Sequence, residues 1–290
     1  MSMRSVEARN SLGESPVWCE RTQTLWWIDV DKPSLWQWKP SSGDVRTWPL
    51  AKPPGSIALL DEGKLLVAFR TRFAVWSEEE GLRPLSGSPE LGPTEERFND
   101  AKVDANGRLW IGTMDRKTHR DVGALYRFAP GAGLVEMDRG FCVSNGIAWS
   151  PAGDCMYFAE THSRSIFRYA FDARKGAIGP RELFARIPEG RGGPDGLTVD
   201  REGAVWCAIF GGACIQRFGP DGRLEQQIAL PVTQPTSCTF GGEDMRTLCV
   251  TSARYGLGES ELAAQPLAGA LLALRVDRAG LPQTMMRTIA

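Results

Sequence analysis

The chain has 290 residues, of which 34 are Lys or Arg and 35 are Asp or Glu, so its net charge at pH 7 is close to zero. No excess of positive charge is available to attract a nucleic-acid backbone or an anionic membrane, and no apolar stretch approaches the ~20 residues of a membrane helix. We therefore expect a cytoplasmic monomer with one domain over residues 1–290 and with neither nucleic acid nor membrane as a partner.

A short extended segment, residues 3–8, precedes six segments that begin a repeated unit of roughly 40 to 50 residues. These segments start at Glu14, Gly55, Asn99, Asn145, Asp195 and Ser237. Turns such as Asn106-Gly107, followed by the apolar run 109–111, are typical of β-hairpins. Several short strands per repeat predict an all-β fold, a six-bladed β-propeller with four-stranded antiparallel blades.

The ends of the chain are predicted to close this ring. The segment 3–8 should pair with residues 271–276 in the last blade, which removes an exposed sheet edge. Helical periodicity is scarce, and only residues 260–265 read as one or two helical turns. The seven cysteines lack zinc-finger spacing and lie mostly in apolar runs, so we expect reduced, buried thiols.

Oxygen-bearing side chains begin four of the repeats. They are Glu14, Asn99, Asn145 and Asp195. In a propeller the inner strands line the central channel, so their first residues should meet at one mouth. A ring of carboxylate and amide oxygens suits a hard divalent cation such as Ca²⁺, Mn²⁺ or Mg²⁺. Asp29 and Glu160 return to the same mouth about 15 residues later, either behind the site or as carboxylates that cap turns.

Six short motifs follow one another along the chain: Leu12-Gly13-Glu14-Ser15-Pro16-Val17-Trp18, Arg97-Phe98-Asn99-Asp100, Gly112-Thr113-Met114, Ser144-Asn145-Gly146, Pro194-Asp195-Gly196 and Phe240-Gly241-Gly242. Together they resemble the regucalcin and gluconolactonase family of six-bladed propellers, which includes senescence marker protein and luciferin-regenerating enzyme-like members. The resemblance runs from about residue 12 to residue 274 and implies hydrolysis of sugar lactones, of pentoses or hexoses, to aldonic acids.

The same resemblance assigns roles to individual residues. It implies that Glu14, Asn145 and Asp195 are the protein ligands of one divalent metal ion. Ca²⁺ is the expected ion, with Mn²⁺, Mg²⁺, Zn²⁺ and Fe²⁺ as alternatives. Arg97 and Asn99 are implied substrate contacts, and Asp195 is also the implied catalytic general base. A carboxylate beside a cation is a weak base, so hydroxide supplied directly by the metal remains an alternative to Asp195.

A polar mouth predicts a polar substrate. The segment 115–122 should cover the mouth, and it carries Arg116, Lys117 and His119 where relatives can place a glutamate. Such donors favour sugar hydroxyls over apolar lactones, because a buried donor without a partner costs roughly 1 to 3 kcal/mol. Two alternatives stay open: Arg97 as a surface ion-pair partner of a neighbouring glutamate, and Asn99 as a turn-forming side chain.

Other enzyme classes lack their motifs in this chain. There is no Gly-x-Ser-x-Gly elbow of a serine hydrolase and no glycine loop before a helix for nucleotide phosphates. Two further functions remain compatible with the ring of oxygens. One is another metal-dependent esterase, such as a phosphotriesterase-like hydrolase, and the other is a non-catalytic calcium-binding propeller.

Overall fold

The computed structural model describes residues 2–92 and 95–287. In this part of the chain, 25 β-strands form six antiparallel sheets, and one short α-helix lies outside them. The first strand, β1 (Met3–Val6), precedes the repeats. Blade one contains β2 (Gly13–Cys19), β3 (Thr24–Asp29), β4 (Ser34–Lys39) and β5 (Asp44–Pro49). Blade two contains β6 (Pro54–Leu59), β7 (Leu65–Phe69), β8 (Phe73–Ser77) and β9 (Gly81–Pro84), with a 3-10 turn at Asp61–Gly63.

The remaining blades follow the same order. Blade three contains β10 (Glu96–Val103), β11 (Leu109–Asp115), β12 (Gly123–Ala129) and β13 (Gly133–Phe141). Blade four contains β14 (Ser144–Trp149), β15 (Cys155–Glu160), β16 (Ser165–Asp172), β17 (Ala177–Ile178) and β18 (Glu182–Arg186). Blade five contains β19 (Gly193–Val199), β20 (Val205–Phe210), β21 (Cys214–Phe218) and β22 (Leu224–Ala229). Blade six contains β23 (Pro235–Gly241), β24 (Thr247–Ser252) and β25 (Leu271–Arg275), joined by β1.

The six inner strands form a closed ring, which confirms the predicted six-bladed propeller. Each inner strand contacts the inner strand of the next blade, in the order β2, β6, β10, β14, β19, β23 and back to β2. Blade four differs from the predicted four strands, because the long β16 pairs with β18 along one half and with the two-residue β17 at its end.

The predicted closure of the ring is also confirmed. β1 pairs antiparallel with β25, with Met3 opposite Leu274 and Val6 opposite Leu271. β1 ends at Val6, so the observed strand is two residues shorter than the predicted segment 3–8. This strand takes the outer position in blade six, where it pairs with the edge of β25 that would otherwise be exposed.

Burial falls from the channel outward. β3 and β19 are buried along their whole length, whereas β5 is mostly exposed. Trp27, Trp110 and Trp206 are fully buried, and each indole N–H donates to a polar side chain, at 2.8 Å, 2.9 Å and 2.9 Å respectively. Aromatic side chains therefore fill the core, and these three indole donors are satisfied, whereas Trp18 Nε1 is buried without a partner.

The short helix and the cysteines are close to what the sequence predicted. The helix α1 spans Glu259–Ala264, one residue earlier than predicted. All seven cysteines are free, and six of them are buried, as expected. No helix in the described ranges is long and apolar enough to cross a membrane.

Candidate functional site at the channel mouth

Irregular pairing at the start of the inner strands sets the direction of the predicted site residues. The register of β10 on β11 shifts between Phe98 and Ala101, so Asn99 and Asp100 leave the ladder. The registers of the equivalent strands shift around Ser15, Asn145 and Asp195. A β-bulge bends its strand and re-aims side chains, so these residues can point into the mouth rather than alternate between faces.

Two glycines let the inner strands approach closely behind these residues. A Cβ atom on Gly146 would lie 2.5 Å from the backbone nitrogen of Leu197, and a Cβ atom on Gly196 would lie 1.9 Å from Ser237 Oγ. Neither position has room for a larger residue. Asn145 and Asp195 immediately precede these glycines, so the close packing of the inner strands brings their side chains to adjacent positions.

A chain of hydrogen bonds connects three blades at the mouth. Asn99 Nδ2 donates to Asn145 Oδ1 and to the carbonyl oxygen of Ser144, both at 2.9 Å. Asn145 Nδ2 donates to Thr161 Oγ1 at 2.8 Å, and Thr161 Oγ1 donates to the carbonyl oxygen of Pro194 at 2.7 Å. Pro194 precedes Asp195, so Thr161 fixes both Asn145 and the backbone next to Asp195. Thr161 was not among the residues predicted from the sequence.

Three carboxylates crowd the mouth and disfavour each other's negative charge. Burial, with the charge of Asp100, raises the pKa of Glu14 to about 8. Burial, followed by the charges of Glu14 and Asp100, holds the pKa of Asp195 well above its usual range. Asp195 is 5% exposed, and its Oδ1 atom is buried without a hydrogen-bond partner. The site therefore has carboxylates that disfavour full ionisation in the absence of a cation, and an unpartnered oxygen that a cation, a proton or a hydrogen-bond donor would satisfy.

Asp100 belongs to this group although the sequence analysis gave it no role. Burial raises the pKa of Asp100 to about 6, against the opposing effects of Lys102 and of the backbone N–H of Ala101. Burial lowers the pKa of Lys102, against the opposing charge of Asp100. Strand alternation would place Asp100 on the face opposite Asn99, so no sequence signal indicated that both side chains reach the mouth.

Arg97 lies beside the carboxylates and has no ion-pair partner among the described residues. Its Nη1 atom donates to Asn99 Oδ1 at 2.9 Å and to the carbonyl oxygen of Phe98 at 3.1 Å. Glu95 instead pairs with Arg120, and Glu96 pairs with Arg139, so Arg97 forms an ion pair with neither neighbouring glutamate. Asn99 lies in a bulge and bonds across to the next blade, so it is not a turn-forming residue either.

The other residues predicted near the mouth have structural contacts. Asp29 accepts backbone N–H groups from Ser11, Leu12, Asp31 and Lys32. Glu160 accepts them from Val143, His162 and Ser163. Both carboxylates therefore cap turns, one of the two roles left open. In the segment 115–122, Arg116, Lys117 and His119 are exposed, and the Arg116 Nε atom donates to the carbonyl oxygen of Glu96 at 3.2 Å.

The donor set fits a hard divalent cation. In the described ranges, no three His, Cys, Asp or Glu side chains are grouped as a metal site, so the set depends on the amide oxygen of Asn145 together with Glu14 and Asp195. Asn145 Oδ1 accepts one hydrogen bond and keeps a second lone pair. The unpartnered Asp195 Oδ1 and the crowded carboxylates match the oxygen ligands that Ca²⁺, Mn²⁺ and Mg²⁺ prefer.

Known proteins resemble this chain over almost its full length. Residues 12–254 match the family model of the SMP-30/Gluconolactonase/LRE-like region. A 6-deoxy-6-sulfogluconolactonase from Pseudomonas putida is 36% identical, covering 95% of this chain and 94% of that protein. An L-arabinolactonase from Azospirillum brasilense is also 36% identical, covering 95% and 92%. The structure of a calcium-binding protein, regucalcin, from Agrobacterium tumefaciens matches with a TM-score of 0.91 at 29% identity, covering 98% of this chain and 96% of that one.

Proposed function

The chain belongs to the SMP-30/gluconolactonase/LRE-like family, and on this premise we propose that it hydrolyses sugar lactones to aldonic acids with one divalent metal ion. The similar proteins from Pseudomonas putida and Azospirillum brasilense are both named as sugar lactonases, and each match covers more than nine-tenths of both chains. Hydrolysis of a lactone of a pentose or hexose is therefore the class of reaction that these relatives support.

The observation that carries the proposal is the buried, unpartnered Asp195 Oδ1 beside a second carboxylate and an amide oxygen. Glu14, Asn145 and Asp195 would hold the metal ion. The regucalcin from Agrobacterium tumefaciens is named a calcium-binding protein, which supports Ca²⁺, while Mn²⁺, Mg²⁺, Zn²⁺ and Fe²⁺ remain candidates. A bound divalent cation would supply a Lewis acid for the lactone carbonyl and would lower the pKa of the carboxylates that hold it.

Asp195 is the proposed general base. Its carboxylate accepts the proton of the water molecule that attacks the lactone carbonyl, and this proton then passes to the ring oxygen as the acyl C–O bond breaks and the aldonic acid is released. Burial, together with the charges of Glu14 and Asp100, raises the pKa of Asp195 in the metal-free protein, and a bound cation would lower it again. Thr161 orients the amide of Asn145 and the peptide before Asp195, so the two side chains keep a fixed relation.

Arg97 and Asn99 are the proposed substrate contacts, and their hydrogen bonds indicate which atoms are available. Both N–H groups of Arg97 Nη1 are used internally, which leaves Nε and Nη2 as donors to substrate oxygens. Asn99 uses both Nδ2 hydrogens on the neighbouring blade, so its Oδ1 atom can accept one further hydrogen bond from a sugar hydroxyl. Arg97 and Asn99 therefore offer both donors and an acceptor, and the hydroxyl groups of a sugar lactone can hydrogen-bond to both kinds of group.

A lactone panel tests the function. Protein treated with a chelator would be assayed with each added metal on arabinono-, xylono-, galactono- and gluconolactone, and on an unsubstituted γ-lactone. We expect the sugar lactones to be hydrolysed with kcat/KM at least tenfold above that of the unsubstituted lactone, because the latter leaves the mouth donors unpaired. Hydrolysis of phosphotriesters but not lactones would identify the other esterase, and metal binding without hydrolysis would identify a binding propeller. Monomeric state and cytoplasmic location remain further proposals.

A further inference from the structure

Three arginines lie together at the channel mouth without carboxylate partners. The carbonyl oxygen of Arg70, at the end of β7, accepts the backbone N–H of Phe98 at 2.8 Å. The Arg116 Nε atom donates to the carbonyl oxygen of Glu96 at 3.2 Å. Phe98 and Glu96 flank Arg97, so Arg70 and Arg116 are anchored on either side of it. Within residues 2–92 and 95–287, none of these three arginines forms an ion pair.

Arginines close by do have partners. Arg72 pairs with Glu90, and Arg120 pairs with both Glu95 and Asp115. Acidic side chains are therefore available in this region, but they face other arginines. Arg70, Arg97 and Arg116 form no ion pair in the described ranges, so no paired carboxylate neutralises their positive charge.

The three positive charges lie close enough to affect one another. Burial, followed by the charge of Arg70, lowers the pKa of Arg97 to about 10; the charges of Glu14 and Asp31 oppose this effect, and the charge of Arg116 adds the smallest contribution to the lowering. Arg70 and Arg116 are exposed, whereas Arg97 is half-buried. Clustered guanidinium groups repel each other, and an anion that binds among them relieves the repulsion while accepting charge-assisted hydrogen bonds.

Space for a substituent lies next to Arg70. This residue lines a cavity of about 500 Å³ on blade two, together with Lys52, Arg72, Phe69 and Phe73. Lys52 adds another positive charge to the wall, and the phenylalanines give the cavity an apolar side. The cavity therefore offers room beside Arg70 for a charged substituent of a ligand.

We propose that Arg70 and Arg116, with Arg97, form an anion-binding subsite, and that the preferred substrates are sugar lactones that carry an acidic group. This group is a sulfonate, phosphate or carboxylate at the carbon farthest from the lactone carbonyl. The inference rests on the proposed function, because it needs the lactone carbonyl at the Glu14, Asn145 and Asp195 end of the mouth. It narrows the substrate class from hydroxylated lactones to anionic ones.

The chemistry of the three groups matches the cluster. A sulfonate or phosphate presents three oxygens, and a guanidinium group binds such oxygens through paired N–H groups. Arg70 and Arg116 are exposed, so their interactions with an anion are screened by salt, with a Debye length of about 10 Å at 0.1 M ionic strength. Preference for the anionic substrate should therefore weaken as salt concentration rises.

The test compares matched lactones. Gluconolactone would be assayed beside its 6-phosphate, its 6-deoxy-6-sulfonate and the corresponding lactone with a C6 carboxylate, all with the activating metal at low ionic strength. We expect at least one anionic lactone to exceed gluconolactone about tenfold in kcat/KM. Arg70→Gln and Arg116→Gln should each lower this ratio about fivefold or more, and 0.5 M NaCl should lower it too. Arg223→Gln, at an arginine that is 87% exposed in blade five, is the matched control.

A second measurement does not depend on turnover. Calorimetry would compare binding of 6-phosphogluconate and gluconate, and we expect the phosphorylated acid to bind about tenfold more tightly in the wild type and the control, but not in Arg70→Gln or Arg116→Gln. Equal kcat/KM and equal binding of neutral and anionic compounds would overturn the inference, while hydrolysis of the neutral lactone would leave the proposed function standing. A preference that survives both substitutions would also overturn it. Hydrolysis of no lactone with any metal would overturn both.

Discussion

Replacing Asp195 by Asn should lower activity and raise the stability of the metal-free protein at the same time. The substitution keeps the shape of the side chain but removes the proposed base and one ligand charge, so kcat/KM should fall at least ~10²-fold. It also removes a buried negative charge that Glu14 and Asp100 disfavour. The pKa of Asp195 is raised in the folded state, so its ionisation opposes folding as pH rises above the unfolded value of about 4.

The size of the stability change follows from the environment of Asp195. Asn keeps a polar atom at the unpartnered Oδ1 position but removes the charge. Burial and the charges of Glu14 and Asp100 disfavour this negative charge, and holding a charge in such a place costs on the order of 1 to 3 kcal/mol. For a chain of this size, that corresponds to an increase in Tm of roughly 2 to 6 °C at pH 8, with a smaller increase at pH 5. Tm would be measured in chelator at both pH values, beside lactone kinetics with saturating metal. The control is Asp221→Asn, at a carboxylate that is 60% exposed. Retained activity, or a lower Tm at pH 8 than the wild type, would refute this reasoning.

Three further predictions concern the same mouth. Asn99→Ala should raise KM about tenfold with a smaller change in kcat, because the residue positions substrate; an effect confined to kcat would contradict this. Thr161→Val should weaken Ca²⁺ or Mn²⁺ binding about 10- to 100-fold by calorimetry, because Asn145 loses its hydrogen-bond acceptor; unchanged affinity would show that orientation is unimportant. In the presence of chelator, the free energy of unfolding measured with urea should fall from pH 5 to pH 8. The pKa values of Glu14 and Asp100 are raised to about 8 and about 6, so over this range the folded state holds more protons than the unfolded state. Added divalent metal should reduce this loss, and a flat profile would count against the crowded carboxylates.

The architecture could be predicted because each repeat carries its own local signal. Polar side chains at Asn99, Asn145 and Asp195 mark where inner strands begin, and turns with Gly mark the hairpins that follow. Six such units predict six blades. The extended segment before the first unit was predicted to close the ring, and it supplies the fourth strand of blade six. The sequence did not predict that two strands, β17 and β18, share the outer position of blade four. Both pair with different parts of the long β16, and their short sequences carry no clear strand pattern.

The candidate site was predicted less completely than the fold. Residues at equivalent repeat positions converge, and Asn99 bonds to Asn145 as a shared mouth requires. Asp100 was missed because strand alternation places it opposite Asn99, whereas the bulge of β10 turns both out of the ladder. Thr161 and Arg70 lie just after second strands, and nothing in their local sequence distinguishes them from ordinary turn residues. The roles of the metal ligands, the base and the substrate contacts remain predictions.

The central claim is that lactone hydrolysis depends on a divalent metal held by Glu14, Asn145 and Asp195. The most direct test is the rate of gluconolactone hydrolysis by chelated, metal-free protein as Mn²⁺ or Ca²⁺ is titrated back. The rate should rise from baseline to a plateau along a single-site curve in the wild type, and it should stay near baseline in Asp195→Asn. Full activity in protein verified to be free of metal would contradict the claim.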